Sequence, residues 1–307
     1  MSYISGQLEI ESESARRLAR YLDEREDQLL EMTREISRHY RRYTIPKKRG
    51  KVRWIEAPRP ELKAVQRELL TALLYRFPVH DAAHGFVPHR SIITHAQNHV
   101  GQRWVITLDL ADFFTSTHRG LINQHLAPLL ASLIASHCSP ASQALMIDLC
   151  LLKDRLPQGA PTSPQISNIV FRNFDQKLAQ WAQEHDLIYS RYADDLSFSG
   201  PQVPPDFYRR IHGCIYPYRL NPRKTRVLGR GGRQVVTGLV VNERVNLPRP
   251  QRRKLRALAH RLAISGRDAV LDANAWTPDE LSGHLAWLAQ VNHQAYEQLF
   301  SDLIQLT

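Results

Sequence analysis

Cysteine is scarce in this sequence: Cys138, Cys150 and Cys214 are the three in 307 residues. Their spacing fits neither a disulfide framework nor a zinc site, and it leaves reduced, partly buried thiols as the expectation. No run approaches the roughly 18 apolar residues of a membrane span. The polar start, Met1 to Glu13, lacks the apolar centre of a secretory signal. A cytoplasmic protein with no membrane partner is therefore expected. Repeats and long low-complexity linkers are also missing. With 43% hydrophobic and 23% charged residues, the chain has the composition of one large or two small globular domains.

Acids are missing from one long stretch. Between Arg209 and Arg261 fifteen Lys or Arg residues stand against one acid, Glu243, and Arg38 to Arg67 is also strongly basic, in a chain of formal net charge +11. A charge run on one helix is ordinarily a solvated face. Two separated basic blocks interleaved with Tyr, Trp and Phe suit a polyanion gripped at several points, where phosphate contacts supply most of the affinity. Nucleic acid is the expected partner.

What is present centres on Tyr192-Ala193-Asp194-Asp195. Alternating runs on either side, Leu187 to Arg191 and Leu196 to Ser199, predict paired strands with both aspartates on the turn between them. An Asp-Asp pair alone is an ordinary solvated turn. A second element changes that reading: Trp104-Val105-Ile106-Thr107-Leu108 reads as a buried strand delivering Asp109, and a carboxylate there is costly unless a metal or hydrogen bonds compensate it. Asp109, Asp194 and Asp195 together offer hard oxygen ligands for Mg²⁺. Two such ions about 3.5–4 Å apart can activate an attacking hydroxyl and stabilise leaving pyrophosphate. The chemistry implied is nucleotidyl transfer.

In order along residues 43–242 the chain resembles the reverse transcriptases, and among them the bacterial retron type. Ile45-Pro46-Lys47-Lys48 through Arg53-Trp54-Ile55-Glu56-Ala57-Pro58 and Ala83-His84-Gly85-Phe86 resemble the two fingers motifs. Asp109 to Phe114 resembles the first catalytic motif, Leu156 to Pro164 the nucleotide-pocket loop, and Tyr192 to Asp195 the second catalytic motif. Leu220-Asn221-Pro222-Arg223-Lys224-Thr225 is similar to the segment that follows it. Val236-Thr237-Gly238 resembles one retron signature. His95-Ala96-Gln97-Asn98-His99 aligns with the other, Asn-Ala-x-x-His, with His95 where the family has Asn.

The resemblance implies roles residue by residue. Lys47, Lys48 and Arg53, on a hairpin predicted over Arg41 to Pro60, would contact the incoming triphosphate; a hairpin touching only template backbone is the alternative. Phe114 would lie beneath the sugar and exclude a 2′-hydroxyl, while Phe113 is read as core. Gln158 would line the nucleotide pocket. Lys224 would meet the triphosphate or the aspartates, unless it is a surface lysine. His99, Thr237 and Gly238 are expected to recognise RNA; the alternative is that Thr237 and Gly238 only shape a strand and His99 only packs. Arg249, Arg252, Arg253 and Arg256, on a helix predicted over Arg252 to Ala263 and its approach, would track phosphates. Other helices are predicted over 12–40, Leu62 to Phe77, 118–152 (two, broken near Ser139-Pro140), Phe207 to Tyr216 and from Thr277 onward. Residues 80–99 read as irregular, and their five histidines lack zinc-ligand spacing.

The expected architecture is an α+β right-hand polymerase fold: fingers in 1–100, a palm with an antiparallel sheet in 101–242, and a small helical thumb in 243–307, with no stretch left over for a ribonuclease H, integrase or endonuclease domain. The resemblance implies RNA-directed DNA synthesis with two Mg²⁺ ions and dNTPs. It further implies a dedicated non-coding RNA primed from its own 2′-hydroxyl, a branched RNA–DNA product, and antiphage defence with an effector protein. The alternatives are an RNA–DNA-bound scaffold that holds an effector inactive, and an intron-encoded or diversity-generating reverse transcriptase.

Overall fold

Strand β3 (Trp104–Asp109) runs through the middle of the palm and fixes where its first carboxylate sits. The computed structural model describes residues 16, 18–20, 22, 25–46, 50, 52–133, 140–257 and 278–298. In chain order the elements are α1 (Glu26–Arg34), β1 (Tyr40–Pro46), β2 (Val52–Pro58), α2 (Pro60–Ala72), α3 (Ile92–Gln97), β3, α4 (Arg119–His125), α5 (Ala127–Leu133), α6 (Pro140–Cys150) and α7 (Ser163–Glu184). They continue with β4 (Ile188–Tyr192), β5 (Asp195–Gly200), α8 (Phe207–Ile215), β6 (Arg226–Gly229), β7 (Val235–Val236), β8 (Leu239–Val240), α9 (249–257) and α10 (Pro278–Val291). Mixed helices and antiparallel sheets give the α+β right-hand polymerase fold.

Four strands form the palm sheet in the order β4-β5-β3-β6, every pairing antiparallel. Side chains alternate across a strand, so the register assigns each residue to a face. Leu108, Leu196 and Arg191 lie in one row and Ile106, Phe198 and Tyr189 in the next. That face is covered by α7 and α8: Trp181 and Phe207 meet Phe198 with ring centroids 6.3 and 5.2 Å away. Helix α7 turns Ile166, Ile169, Val170, Phe174, Leu178 and Trp181 inward at helical spacing, and all are buried. Burying each such side chain stabilises the fold by about 1.5–3 kcal/mol. The opposite face carries Asp109 and Asp195, then Thr107, Ser197 and Ser190, then Val105 and Ser199. It is the polar face, with Asp109 and Asp195 at one end and Ser190, Ser197 and Ser199 buried along it.

The hairpin β1–β2 pairs Tyr40 with Pro58 through Pro46 with Val52; of its tip, Lys47, Lys48, Arg49 and Lys51 lie outside the described residues. It is anchored where the Glu56 N–H donates to the Gln158 carbonyl at 2.9 Å and the buried Glu56 carboxylate meets Arg155 at 3.2 Å. Gly159, at φ 139°, is required there, because a Cβ would stand 2.9 Å from the Glu56 carbonyl oxygen. A second apolar cluster joins Val105 and Ala96 to Val236, Leu239, Val241, Leu255 and Leu288, tying α9 and α10 to the palm.

Three expectations need correction. Residues 80–99 are not wholly irregular: α3 starts at a capping box in which the Ser91 and Thr94 side chains bond each other's backbone N–H. The helix predicted ahead of Ser139 is split into α4 and α5, because Pro128 has no N–H to continue the ladder. Val235 to Val241, which the sequence pattern pairs as one strand of a hairpin with Val245-Asn246-Leu247, instead folds back at Thr237-Gly238, where both residues have positive φ, 45° and 85°, as a two-residue hairpin turn requires; the expected pairing is present at Val240 with Asn246. The predicted helix from Arg252 is described from 249 to 257, and its remainder to Ala263 lies outside the described residues.

Candidate active site

Asp109 ends β3 directly opposite Asp195, the first residue of β5, and Asp195 in turn pairs with Tyr192 of β4. Only Ala193 and Asp194 therefore form the turn, with Ala193 at φ 54°. Asp195 is a strand residue, a refinement of the expectation that placed both aspartates on the turn. The backbone locks the two motifs together: the Leu110 N–H donates to the Asp194 carbonyl at 2.8 Å, and the Asn221 N–H to the Asp109 carbonyl at 2.8 Å. Asp109, Asp194 and Asp195 are thus placed at one end of the polar face.

Asp109 is 3% exposed, and Lys224 answers its charge with an ion pair to Oδ1. The pinned segment 219–221 explains how a residue 115 positions away reaches it. Burial pushes the Asp195 carboxyl up to about 7, helped by the charges of Asp194 and Asp109 and opposed by Lys224. Asp194 is raised too, first by burial; its own backbone N–H, Lys224 and Arg53 pull the other way. Partial burial lowers the Lys224 pKa, but the hydrogen bond to Asp109 and the three carboxylate charges raise it more, so the ammonium stays charged. Burial, with mutual repulsion added, thus outweighs the relief that Lys224 and Arg53 give to Asp195 and Asp194.

Around it, Arg53 is exposed on β2 and acts electrostatically on Asp194. Phe114 is half-buried, its ring 5.7 Å from Phe113 and 6.1 Å from the exposed ring of Phe86. Phe113 is core. Gln158 is half-buried beside β2. Among the described residues no group of three or more His, Cys, Asp or Glu side chains converges as a metal-holding set; the aspartates form an open set, with Lys224 on one of them. Hard oxygens of this kind suit Mg²⁺, which is held by one or two carboxylates together with water and substrate phosphates.

His99 does not fit the role of touching RNA. It is 0% exposed, and both ring nitrogens are occupied, Nδ1 by Ser199 Oγ at 2.7 Å and Nε2 by Ser190 Oγ at 2.8 Å. It braces β4 and β5 across the polar face of the sheet. His95, also buried, lies between the rings of His84, His99 and Tyr192, with Nδ1 3.4 Å from Thr237 Oγ1. The two signature segments, 142 residues apart, therefore touch. Thr237 is half-buried and holds a left-handed conformation that β-branched residues rarely adopt, with its hydroxyl donating to the Ile92 carbonyl at 3.4 Å. Gly238 is exposed at the turn. Arg249, Arg253 and Arg256 are exposed on α9, and Arg252 is half-buried.

Burial pushes the His95 and His99 imidazoles down to about 3, with smaller effects from neighbouring rings. Both are neutral in the folded protein and titrate near 6.5 when unfolded. A depressed histidine contributes stability that is complete above the unfolded pKa and lost as pH falls toward the folded one, at up to about 1.4 kcal/mol per pH unit for each ring. The urea midpoint is therefore expected to drop between about pH 7 and pH 5, and to drop less steeply in His99→Asn. An equal slope in both proteins would contradict this.

Sequence reasoning missed Arg191, Asp175 and Asn168. Arg191 and Asp175 are both fully buried and paired through two bonds, Nε to Oδ1 at 2.9 Å and Nη2 to Oδ2 at 2.7 Å. Gly85, one residue of the Ala83-His84-Gly85-Phe86 motif, has a role of its own: a Cβ there would stand 2.4 Å from the Ala193 nitrogen.

The family Reverse transcriptase (RNA-dependent DNA polymerase) matches residues 45–203. The retron Mx65 reverse transcriptase of Myxococcus xanthus is 39% identical over 281 residues, covering 87% of this chain and 64% of that protein. The retron Mx162 enzyme of the same organism is 38% identical and covers 74% of this chain and 53% of that protein. The chain thus spans about half to two thirds of the length of these two relatives. The Escherichia coli retron Ec86 reverse transcriptase is 28% identical, over 87% of this chain and 81% of that one. With its matched region running from the fingers hairpin through the aspartate hairpin, the chain belongs to the reverse transcriptase family and is of the bacterial retron type.

Proposed function

We propose that the chain is an RNA-directed DNA polymerase working on a dedicated non-coding RNA with dNTPs and two Mg²⁺ ions. The observation that carries this reading is the cross-strand pair Asp109 and Asp195, with Asp194 beside them on the turn, at the open end of a polar sheet face. When bound, the ions would supply activation of the attacking hydroxyl and charge stabilisation at the departing pyrophosphate. Asp109, Asp194 and Asp195 would hold them. Arg53, with Lys47 and Lys48 near it in sequence, would bind the triphosphate and Gln158 would line its pocket. Lys224 would keep Asp109 in place until the triphosphate arrives. Arg249, Arg252, Arg253 and Arg256 would follow the phosphates of the nucleic acid, with Thr237 and Gly238 presenting the turn beside it.

We infer, from the resemblance to retron enzymes alone, a finer reading: priming from a 2′-hydroxyl of the RNA, a branched RNA–DNA product, and antiphage defence with an effector protein. Sequencing the nucleic acid that co-purifies with the protein tests it. A short DNA joined through a 2′–5′ branch to one abundant small RNA is expected. Random cellular RNA in its place would overturn the retron reading while leaving polymerase activity to be measured separately on a supplied primer and RNA template.

Phe114 gives a sharper test of the pocket. Its half-buried ring leaves no space for a 2′-hydroxyl if the sugar lies above it, so Phe114→Ala should incorporate GTP nearly as readily as dGTP while still making DNA. Single-nucleotide extension measures this; an unchanged preference would return Phe114 to a packing role.

A further inference from the structure

The aspartate hairpin is held from behind. Arg191 precedes Tyr192 and, by strand alternation, points away from the polar face into the layer under α7. Its guanidinium is 0% exposed and lies over the ring of Phe171, 4.7 Å from its centroid. Nε and Nη2 hold the Asp175 carboxylate as a fork. Nη1 donates to Asn168 Oδ1 at 3.0 Å and to the Ala193 carbonyl at 3.1 Å. The Asn168 amide nitrogen donates in turn to the Gly85 carbonyl at 2.9 Å. Gly85 is the residue whose backbone abuts Ala193. One side-chain layer, rooted in α7, therefore grips both segments that meet at the turn.

Two further observations separate this from ordinary packing. The Arg191 backbone is already fixed, its N–H donating to Ala82 and its carbonyl accepting from His84, each at 2.7 Å; the side chain is not needed to hold the strand in place. Well-packed apolar residues commonly stabilise a core as well as a buried ion pair does, so the fork is not explained by stability alone. What the charged fork adds is a donor aimed at the carbonyl of Ala193, a non-glycine residue at φ 54° that needs external support. Lysine could keep the charge but not the planar set of donors.

We propose that Arg191, oriented by Asp175 and Asn168, is a positioning residue that fixes the Ala193-Asp194 turn and so sets how the catalytic carboxylates present themselves to metal. Its functional half rests on the polymerase reading above; its structural half does not. Arg191→Lys and Asn168→Ala are the test variants, the second because it removes the link between Arg191 and Gly85 without leaving a buried charge unpaired. In the protein without added metal or nucleic acid, amide hydrogen exchange across 192–196 is expected to speed up about tenfold while α8 exchanges as before. In primer extension, the Mg²⁺ concentration for half-maximal rate should rise severalfold, and the rate per titrated active site should fall about tenfold, which corresponds to about 1.4 kcal/mol.

Local exchange that stays unchanged in Asn168→Ala would overturn the proposal. So would a loss seen only as lower thermal stability or fewer active sites, with the Mg²⁺ midpoint intact. If Arg191→Lys fails to fold, Asn168→Ala decides alone. If the wild-type chain makes no DNA, the polymerase reading fails and the exchange experiment still reports on the turn.

Discussion

Asp109→Asn protein is expected to bind RNA and make no DNA. The amide keeps nearly the same size but removes one of the three charges proposed to hold Mg²⁺, and it leaves the Lys224 ammonium without its carboxylate. Metal-derived transition-state stabilisation amounts to several kcal/mol, and each 1.36 kcal/mol is tenfold in rate. A loss of about 10³-fold or more follows. Asp194→Asn and Asp195→Asn should behave alike in synthesis. Asp195→Asn carries an additional signature, in stability. The folded pKa of about 7 lies above the unfolded value near 3.9, so in metal-free protein this group favours folding at low pH and penalises it as pH rises through 7. Asparagine mimics the protonated form and removes that penalty. The metal-free variant should therefore melt higher than wild type above about pH 7, by roughly 2–4 °C for each kcal/mol relieved. Near wild-type extension by Asp109→Asn would sink the metal assignment, and a lower melting temperature for Asp195→Asn would sink the electrostatic account of the cluster.

Gly85→Ala should slow synthesis by about 100-fold in protein that still folds, with the forced shift costing about 1–3 kcal/mol of stability. Gly85 needs no special dihedral; its constraint is space. A Cβ would lie 2.4 Å from the Ala193 nitrogen, 3.1 Å from the Tyr192 carbonyl carbon and 3.2 Å from the Ala193 Cα. All three are backbone atoms and cannot rotate aside. The aspartate turn or the 82–85 segment must move by about 1 Å, and misplacement on that scale costs on the order of 100-fold in rate. Single-turnover extension on a supplied RNA template measures this, with circular dichroism confirming the fold. A rate within a factor of about two of wild type would mean that the turn accommodates the shift without harm.

How much of this was legible in the sequence depended on whether a residue's partner was local. The strand delivering Asp109, the hairpin around Asp194 and the inward stripe of α7 follow from periodicity within a few residues. Deciding where Lys224 goes needed the bonds from Asn221 and Ala111 that pin 219–221 beside β3. His99 was assigned to RNA because a histidine in a signature suggests recognition; its partners, Ser190 and Ser199, are 91 and 100 residues away, and only the register shows them on the same face. The small polar residues Thr107, Ser190, Ser197 and Ser199 were the available clue, since alternation that turns Ser and Thr toward one face leaves room for a ring above them. Arg191 was hidden for a related reason: an arginine inside a strand reads as solvent-facing until its carboxylate on a helix is located.

The place of β3 in the sheet also has a consequence for how the chain is made. It emerges first yet lies between β5 and β6, which follow about 90 and 120 residues later. At roughly 5–20 residues per second, Trp-Val-Ile-Thr-Leu waits about 5–20 seconds on the ribosome with both edges unpaired. An apolar strand in that state is a template for pairing with other chains. Nascent chains stalled near residue 160 should be cut within 104–109 by added protease, and those stalled beyond residue 260, with β6 clear of the exit tunnel, should not. The carboxylate at the end of β3 thus gains Asp195 across the sheet only once β5 is made, and Lys224 only just ahead of β6.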